Sequence, residues 1–250
     1  MILVCAATGT EAAACRRGIA DAAARGIEVL TTGVGLERAA DALTRWLATR
    51  AGGATPSQDP RPALVVSSGF AGALSSAVEP LTWITASSVH RLVDGRADPR
   101  AVPRVVPIEL PRGLLRVAQG ALACHVISAD HVLARGVPGL PDPAAVDMES
   151  AALAGVAGAA GLPFLVLRLV TDTPARPLAP LGRSLAAALA AHGIAGRAAH
   201  GARAALDAVR SPPRTLAFLR EAMVWRDRLR AGWREHASRG VPSWPILTGG

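Results

Sequence analysis

The sequence contains no tyrosine and no lysine, and aromatic residues make up only 3% of its 250 residues. All 27 basic residues are therefore arginine, a bias typical of GC-rich coding that raises the isoelectric point without implying a function. The net charge of +8 nevertheless predicts a positive field, which attracts polyanions or anionic lipid surfaces. The position of this charge in the chain decides which partner it favours.

Cysteine is also scarce. Cys5, Cys15 and Cys124 are odd in number and show neither C-x-x-C nor histidine spacing, which argues against a disulfide framework and a zinc site. The histidines likewise lack metal-ligand spacing. We expect buried or incidental thiols, no metal and no cofactor.

Long hydrophobic runs are absent. The apolar segment at 1–7 lacks a basic n-region, and no later run is long enough and free enough of charge, glycine and proline to cross a bilayer. We therefore expect a cytoplasmic protein. The length suits one large domain or one domain with a small appendage.

Apolar runs at 63–67 and 164–170 predict central strands of a sheet covered on both faces. Their alternation with helical segments predicts an α/β architecture. Gly52–Pro60 is predicted to be a surface loop. The remaining expectations are strands at 2–7, 27–30, 82–90 and 121–127, and helices at 11–25, 37–50, 145–160, 183–209 and 214–238.

Two acidic residues are placed so that a helix and the following strand can bring them to one cleft. Glu149 lies in Val146-Asp-Met-Glu-Ser-Ala-Ala152, and Asp172 ends Leu162-Pro-Phe-Leu-Val-Leu-Arg-Leu-Val-Thr-Asp172. Both segments resemble the signature of the methylthioadenosine/adenosylhomocysteine nucleosidases and purine nucleoside phosphorylases. Three further segments resemble this superfamily in the same order, namely Thr32-Gly-Val-Gly35, the glycine-rich turn Ser67-Ser-Gly-Phe-Ala-Gly72 and Ser128-Ala-Asp130.

The resemblance covers roughly residues 1–173 and implies a three-layer αβα fold with a central mixed, partly barrel-like sheet. We accordingly predict a catalytic domain at 1–180, a C-terminal helical extension at 181–240 and a flexible tail at 241–250. The superfamily commonly forms homo-oligomers, and we expect one here.

The resemblance also implies roles for individual residues. Glu149 would bind the ribose hydroxyls, with Met148 packed against the sugar. Asp172, oriented by Thr171, would protonate the departing base near N7. Glu11 would activate water, so that Asp172 assists the departure of the base and Glu11 assists the attack of water on the ribosyl carbon.

The base site is expected to include Thr171 and two segments, Phe70-Ala71-Gly72 and Val132-Leu133. Adenosine-specific nucleosidases place a phenylalanine against the base soon after S-G-D, whereas this chain has His131-Val132-Leu133. Base stacking must therefore differ, or another aromatic such as Phe70 supplies it.

The choice between water and phosphate depends on anion binding, for which phosphate needs arginine or a nest of N–H groups. The phosphorylases' first loop supplies an arginine, where this chain has Glu11. A second arginine precedes the glycine-rich turn in many of them, and Val65–Ser68 contains none. Water is the expected nucleophile, with a phosphorylase as the alternative.

The C-terminal segment narrows the range of possible substrates. The segment from Pro212 to Leu219 and the arginine-rich helix behind it resemble the extension of hopanoid-associated nucleosidases/phosphorylases, which implies release of adenine from adenosylhopane in hopanoid biosynthesis. A nucleosidase for a small thio-adenosine and a futalosine hydrolase-like enzyme remain alternatives. The expected partner is thus a small-molecule or lipid-linked nucleoside, with no nucleic acid.

An apolar stripe in 214–239 is flanked by arginines and could lie on an anionic membrane, although such a stripe more often packs on its own domain or on a dimer partner. The stripe comprises Phe218, Ala222, Trp225, Leu229 and Trp233. A basic binding protein with an idle catalytic domain is the non-enzymatic alternative.

Structural roles compete with catalytic ones at several positions. Glu11 and Glu149 could serve helix dipoles, and Asp172 could cap a turn. Their joint occurrence in the family's order favours function. Arg168 lies within an apolar strand, so we expect it to have an ion-pair partner.

Overall fold

The structure, a computed structural model, describes residues 1–51, 61–93, 104–111, 113–131, 133, 142–191 and 193–239. The predicted loop at 52–60 and the predicted tail at 241–250 lie outside these residues. The strands are β1 (Ile2–Ala6), β2 (Ile27–Thr31), β3 (Leu64–Ala73), β4 (Trp83–Val93), β5 (Arg104–Pro107), β6 (Leu115–Arg116), β7 (Leu122–Ser128), β8 (Ala144–Asp147) and β9 (Phe164–Asp172). The helices are α1 (Gly9–Asp21), α2 (Leu36–Ala51), α3 (Ser150–Ala159), α4 (Pro180–Ala190), α5 (Gly193–Arg210) and α6 (Pro212–Ser238).

Five strands close into a barrel-like sheet. β3, β8, β7, β4 and β9 are neighbours in that order, and β9 pairs again with β3. β1 and β2 extend the sheet beyond β3 in parallel. β3 and β9, the two predicted central strands, are buried along their length except at Phe70, Thr171 and Asp172, which are half-buried.

The pairing of β3 with β9 contains one irregularity. Ala71 is opposite Val170, whereas Gly72 is opposite Asp172, so Thr171 is an extra residue on β9. Such a bulge bends a strand and redirects the side chains beside it.

Helices cover both faces of the sheet. α2 and α3 pack on one face through Leu43 and Leu153, and α1 and α6 pack on the other through Cys15 and Trp233. This confirms the predicted α/β class, with three αβα layers around a mixed, partly barrel-like sheet. No helix in the described ranges has the length and hydropathy to span a bilayer.

Three local predictions were wrong. The helix predicted from 145 begins only at Ser150, because Ala144–Asp147 pairs with β7 and β3, and this pairing overrides the high helix propensity of alanine. The predicted glycine-rich turn at 67–72 continues β3 as a strand. The helix predicted at 183–209 is divided into α4 and α5, and Gly193, the first residue of α5, has a positive φ of 74°.

Helix α6 lies against α1. The side chain of Trp233 is fully buried, and its indole Nε1 donates a hydrogen bond to Ser68 Oγ at 2.9 Å. Gly18 permits the close approach, since a Cβ there would lie 2.3 Å from the backbone oxygen of Arg230. Phe218 and Leu229 of the predicted apolar stripe are also buried, so these residues are not available to a membrane surface.

We predict that Trp233→Ala lowers the free energy of unfolding by about 3–5 kcal/mol, because it removes a fully buried aromatic side chain. Urea denaturation measures this difference. Met223→Ala on the same helix is the control, since Met223 is 50% exposed and its loss should cost less than about 0.5 kcal/mol. Equal losses in the two variants would contradict the docking of α6 on the core.

Candidate active site

A cavity of about 180 Å³ lies at the carboxyl ends of β3 and β9, beside β8. Glu11, Glu149 and Asp172 all line it, although they come from three separate parts of the chain. The described fold thus brings the three predicted carboxylates together.

Glu11 is the third residue of α1 and forms a capping box with Thr8. The backbone N–H and hydroxyl of Thr8 both donate to Glu11 Oε2 at 2.8 Å, and the N–H of Phe70 donates to Oε1 at 2.9 Å. A carboxylate offers about four acceptor positions, so Oε1 retains one for a further donor. The same buried carboxylate can therefore cap the helix and face a ligand.

Two glycines of β3 make room for carboxylates. Gly69 has φ +135°, and a Cβ there would lie 2.3 Å from Glu11 Oε1. A Cβ at Gly72 would lie 2.9 Å from Asp172 Oδ2. The two glycines are three positions apart on β3, so the two carboxyl groups approach the strand at different points along its length.

Asp172 follows the bulge at the end of β9. Thr171 Oγ1 donates to Asp172 Oδ1 at 2.9 Å, the contact expected of a residue that orients this carboxyl. Burial raises the pKa of Asp172, and the hydrogen bond from Thr171 opposes that rise. A raised pKa favours the protonated form, which a proton donor requires.

Glu149 immediately precedes α3 and is buried. Its Oε1 accepts from the N–H of Gly35 and its Oε2 from Arg168 Nη2, both at 3.1 Å. Burial raises the pKa of Glu149, while the positive charge of Arg168 lowers it. The predicted loop at 32–35 thus contributes a backbone donor to the site.

Arg168 is 1% exposed and has the ion-pair partners that its position in an apolar strand required. Its Nε lies 2.8 Å from Asp147 Oδ2, and its Nη2 lies 3.1 Å from Glu149 Oε2. Nη1 donates to the backbone oxygen of Phe70 at 2.9 Å, and Nη2 donates to Ser67 Oγ at 2.8 Å. Burial lowers the pKa of Arg168, but the nearby carboxylates raise it by a larger amount. The net shift is upward, so the guanidinium stays charged.

Asp147 is a site residue that the sequence reasoning missed. Its Oδ1 accepts the N–H groups of Glu149 and Ser150 at 3.2 Å, and its carboxylate also accepts the hydroxyls of Ser128 and Ser150. A signal for Asp147 was present in the sequence, because an aspartate just before a helix often accepts hydrogen bonds from the backbone N–H groups two and three residues later.

The cavity contains most of the predicted base-site residues. Phe70, Ala71, Gly72, Leu133 and Thr171 line it, as does Met148. Val132 lies outside the described residues. Leu178, Ala186 and Leu189 form a further wall. Ala186 and Leu189 were missed because their part of the chain, 181–240, was assigned to the extension.

A sequence profile of the phosphorylase superfamily matches residues 142–203, a segment that includes Glu149, Arg168 and Asp172. No curated protein sequence matches the chain. Solved structures of similar architecture include a futalosine hydrolase mutant of Helicobacter pylori, with a TM-score of 0.50 and 16% identity, covering 68% of this chain and 88% of that one. The chain has the nucleoside phosphorylase and nucleosidase fold.

Two further structures share this fold. A putative 5′-methylthioadenosine/S-adenosylhomocysteine nucleosidase from Borrelia burgdorferi bound to adenine has a TM-score of 0.51 and 17% identity, covering 71% of this chain and 88% of that one. The corresponding nucleosidase from Neisseria meningitidis in complex with methylthio-immucillin-A has a TM-score of 0.50 and 18% identity, covering 83% and 97%. The superfamily profile and the shared fold support the expectation of a nucleosidase or phosphorylase.

We predict that Arg168→Met destabilises the protein by about 3–5 kcal/mol near neutral pH, because it leaves Asp147 and Glu149 buried without their cation. Burial raises the pKa of Glu149 to about 7, and loss of the cation raises it further, so the folded variant keeps a proton that the folded wild type releases. The deficit should therefore grow as pH rises above about 7 and shrink in acid.

Urea denaturation across a pH series measures this effect. Arg230→Met is the matched control, because Arg230 forms an exposed ion pair with Asp21 and its removal should have a much smaller effect. A pH-independent deficit in Arg168→Met would contradict the role assigned to the buried charges.

Proposed function

We propose that the protein hydrolyses the N-glycosidic bond of an adenosyl compound and releases adenine, with Glu11 and Asp172 as its catalytic residues. The observation that carries the proposal is the pair of carboxyl groups held against Gly69 and Gly72 at the edge of one cavity. The superfamily match at 142–203 agrees with it.

Asp172 is proposed to donate its proton to the base as the bond to the ribosyl carbon breaks and the base takes up the bonding electrons. Its raised pKa supports this role. Water then bonds to the ribosyl carbon and gives a proton to the free acceptor position of Glu11 Oε1. This division of labour between an acid and a base is that of the inverting glycosidases, in which a water molecule enters between the two carboxyl groups.

Electrostatics favour water over phosphate as the nucleophile. Of the described residues around the cavity, Arg168 alone is an arginine, and Asp147 and Glu149 already bind it. A phosphate ion would thus approach three or more carboxyl groups without an uncommitted guanidinium.

Glu149 and Met148 are proposed to bind the ribose. Each oxygen of Glu149 accepts one hydrogen bond from the protein, from Gly35 on one side and Arg168 on the other. Two acceptor positions remain, which suits the two hydroxyls of a vicinal diol. Phe70, Ala71, Gly72, Leu133 and Thr171 are proposed to hold the base, with Phe70 as the stacking aromatic.

We predict that the wild-type protein releases adenine from an adenosyl substrate at a rate independent of added phosphate, with the ribosyl product carrying a free hydroxyl. Glu11→Gln and Asp172→Asn should each lower kcat by about 10²–10⁴-fold. Because the acid must be protonated, kcat should fall as pH rises through the raised pKa of Asp172, and Asp172→Asn should lose that dependence.

Adenine release is followed chromatographically. Asp130→Asn is the control, since Asp130 is half-exposed beside Arg91 and does not line the cavity. Strict dependence on phosphate would overturn hydrolysis in favour of a phosphorylase. Full activity in both carboxylate variants would overturn the catalytic assignment and favour a binding protein.

A lipid-linked nucleoside, as in adenosylhopane, is the proposed substrate. Beside the resemblance of the tail, the cavity wall from α4 supports it, because Leu189 lines the cavity and is 50% exposed. An apolar wall thus runs from the cavity to the surface, as an apolar substituent would need. A small thio-adenosine or futalosine is the alternative.

Peripheral membrane contact through 214–239 is proposed to use the face of α6 that points away from the core. Leu216, Leu219 and Met223 are 56%, 48% and 50% exposed and lie at helical spacing on one side. Arg220 is exposed beside them, which suits an anionic lipid surface.

We predict that an adenosyl lipid in vesicles containing phosphatidylglycerol is turned over with a higher kcat/KM than methylthioadenosine in solution. Replacing Leu216, Leu219 and Met223 together by serine should lower turnover of the vesicle substrate and spare methylthioadenosine. The single exposed substitution Val209→Ser on α5 serves as the control. Efficient turnover of methylthioadenosine alone would refute the lipid assignment.

A further inference from the structure

A second concavity adjoins the active site. It lies between the segment at 176–180 and helix α6, and its volume of about 590 Å³ exceeds the 180 Å³ of the cavity described above. Thr171, Asp172 and Leu178 border both, so the two spaces share a wall. We call this second space the α6 groove. A volume of this size is typical of sites for small organic ligands.

The floor of the α6 groove is apolar and aromatic. Phe218 and Trp225 meet edge to face with ring centroids 5.8 Å apart, and Trp225 meets Phe70 in the same way at 6.3 Å. Leu81 and Val224 add aliphatic surface. Phe218 is already buried. An apolar ligand body would therefore gain by covering Trp225, Leu81 and Val224, which still expose apolar surface to water.

Cations surround this apolar floor. Arg176, Arg214 and Arg220 border the groove. Arg176 pairs with Glu221 at 3.3 Å, whereas Arg214 and Arg220 form no ion pair within the described part of the chain. Arg214 and Arg220 therefore leave positive charge without a partner beside an apolar surface, while the carboxyl group of Asp172 lies at the wall that the groove shares with the cavity.

We propose that the α6 groove binds a single-chain anionic amphiphile, with its hydrocarbon chain on Trp225 and Val224 and its carboxylate on Arg214 and Arg220. Guanidinium groups bind carboxylates in bidentate geometry, which would fix the head of the ligand. A second copy of this chain is a poorer occupant, because it would bring a second set of arginines to the same surface. The ligand is distinct from the nucleoside and needs no catalytic residue.

Isothermal titration calorimetry without any nucleoside tests the proposal, with dodecanoate below its micellar concentration as the probe. Dodecanoate should bind, and dodecanol and dodecyltrimethylammonium should bind at least about tenfold more weakly, because they lack the anionic head. The double variant Arg214→Gln/Arg220→Gln should weaken dodecanoate binding to a similar degree. Arg210→Gln, an exposed arginine on α5 outside the groove, is the control and should bind as the wild type does.

A second variant addresses the apolar floor. Ala217 is exposed on the groove side of α6, so Ala217→Trp should obstruct the groove and weaken binding at least about tenfold while leaving the urea unfolding midpoint unchanged. Failure of dodecanoate to bind, equal binding of dodecanol, or undiminished binding in either variant would overturn the proposal. Because no turnover is measured, these outcomes are independent of the catalytic assignment.

Discussion

One buried guanidinium holds the site together. Arg168 lies in the middle of β9, where an unpaired charge would be very unfavourable, and its donors reach Asp147, Glu149, Ser67 and the backbone oxygen of Phe70. Satisfying this charge therefore draws β3, β8 and the start of α3 toward β9. The N–H of Phe70 in turn holds Glu11. Stability and the geometry of the carboxylates thus have a common origin.

Local sequence predicted what local interactions determine. The continuous apolar runs identified β3 and β9, and the acidic residues beside them identified the region of the cavity. Ala144–Asp147 was misassigned because a short alanine-rich segment has no periodicity of its own, and only its neighbours β3 and β7 make it a strand. The closure of the barrel and the partner of Arg168 likewise depend on residues distant in the sequence, which spacing alone cannot identify.

The contacts of the C-terminal helix α6 also could not be identified from the sequence alone. Its apolar stripe was evident from the sequence, but whether the stripe faced the protein or a lipid depended on contacts with α1. Trp233 reaches Ser68 on β3, one residue before the glycine that accommodates Glu11. The helix is therefore in direct contact with the strand that shapes the site, and its surface and its buried face can serve different purposes.

The extra residue in β9, Thr171, changes the direction of the side chains at the end of the strand. In a regular strand, adjacent side chains point to opposite faces, so Thr171 and Asp172 would be on opposite sides of the sheet. The bulge lets these neighbours meet and share one cavity. The presence of both side chains at one cavity therefore depends on an irregularity in the pairing of β9 with β3.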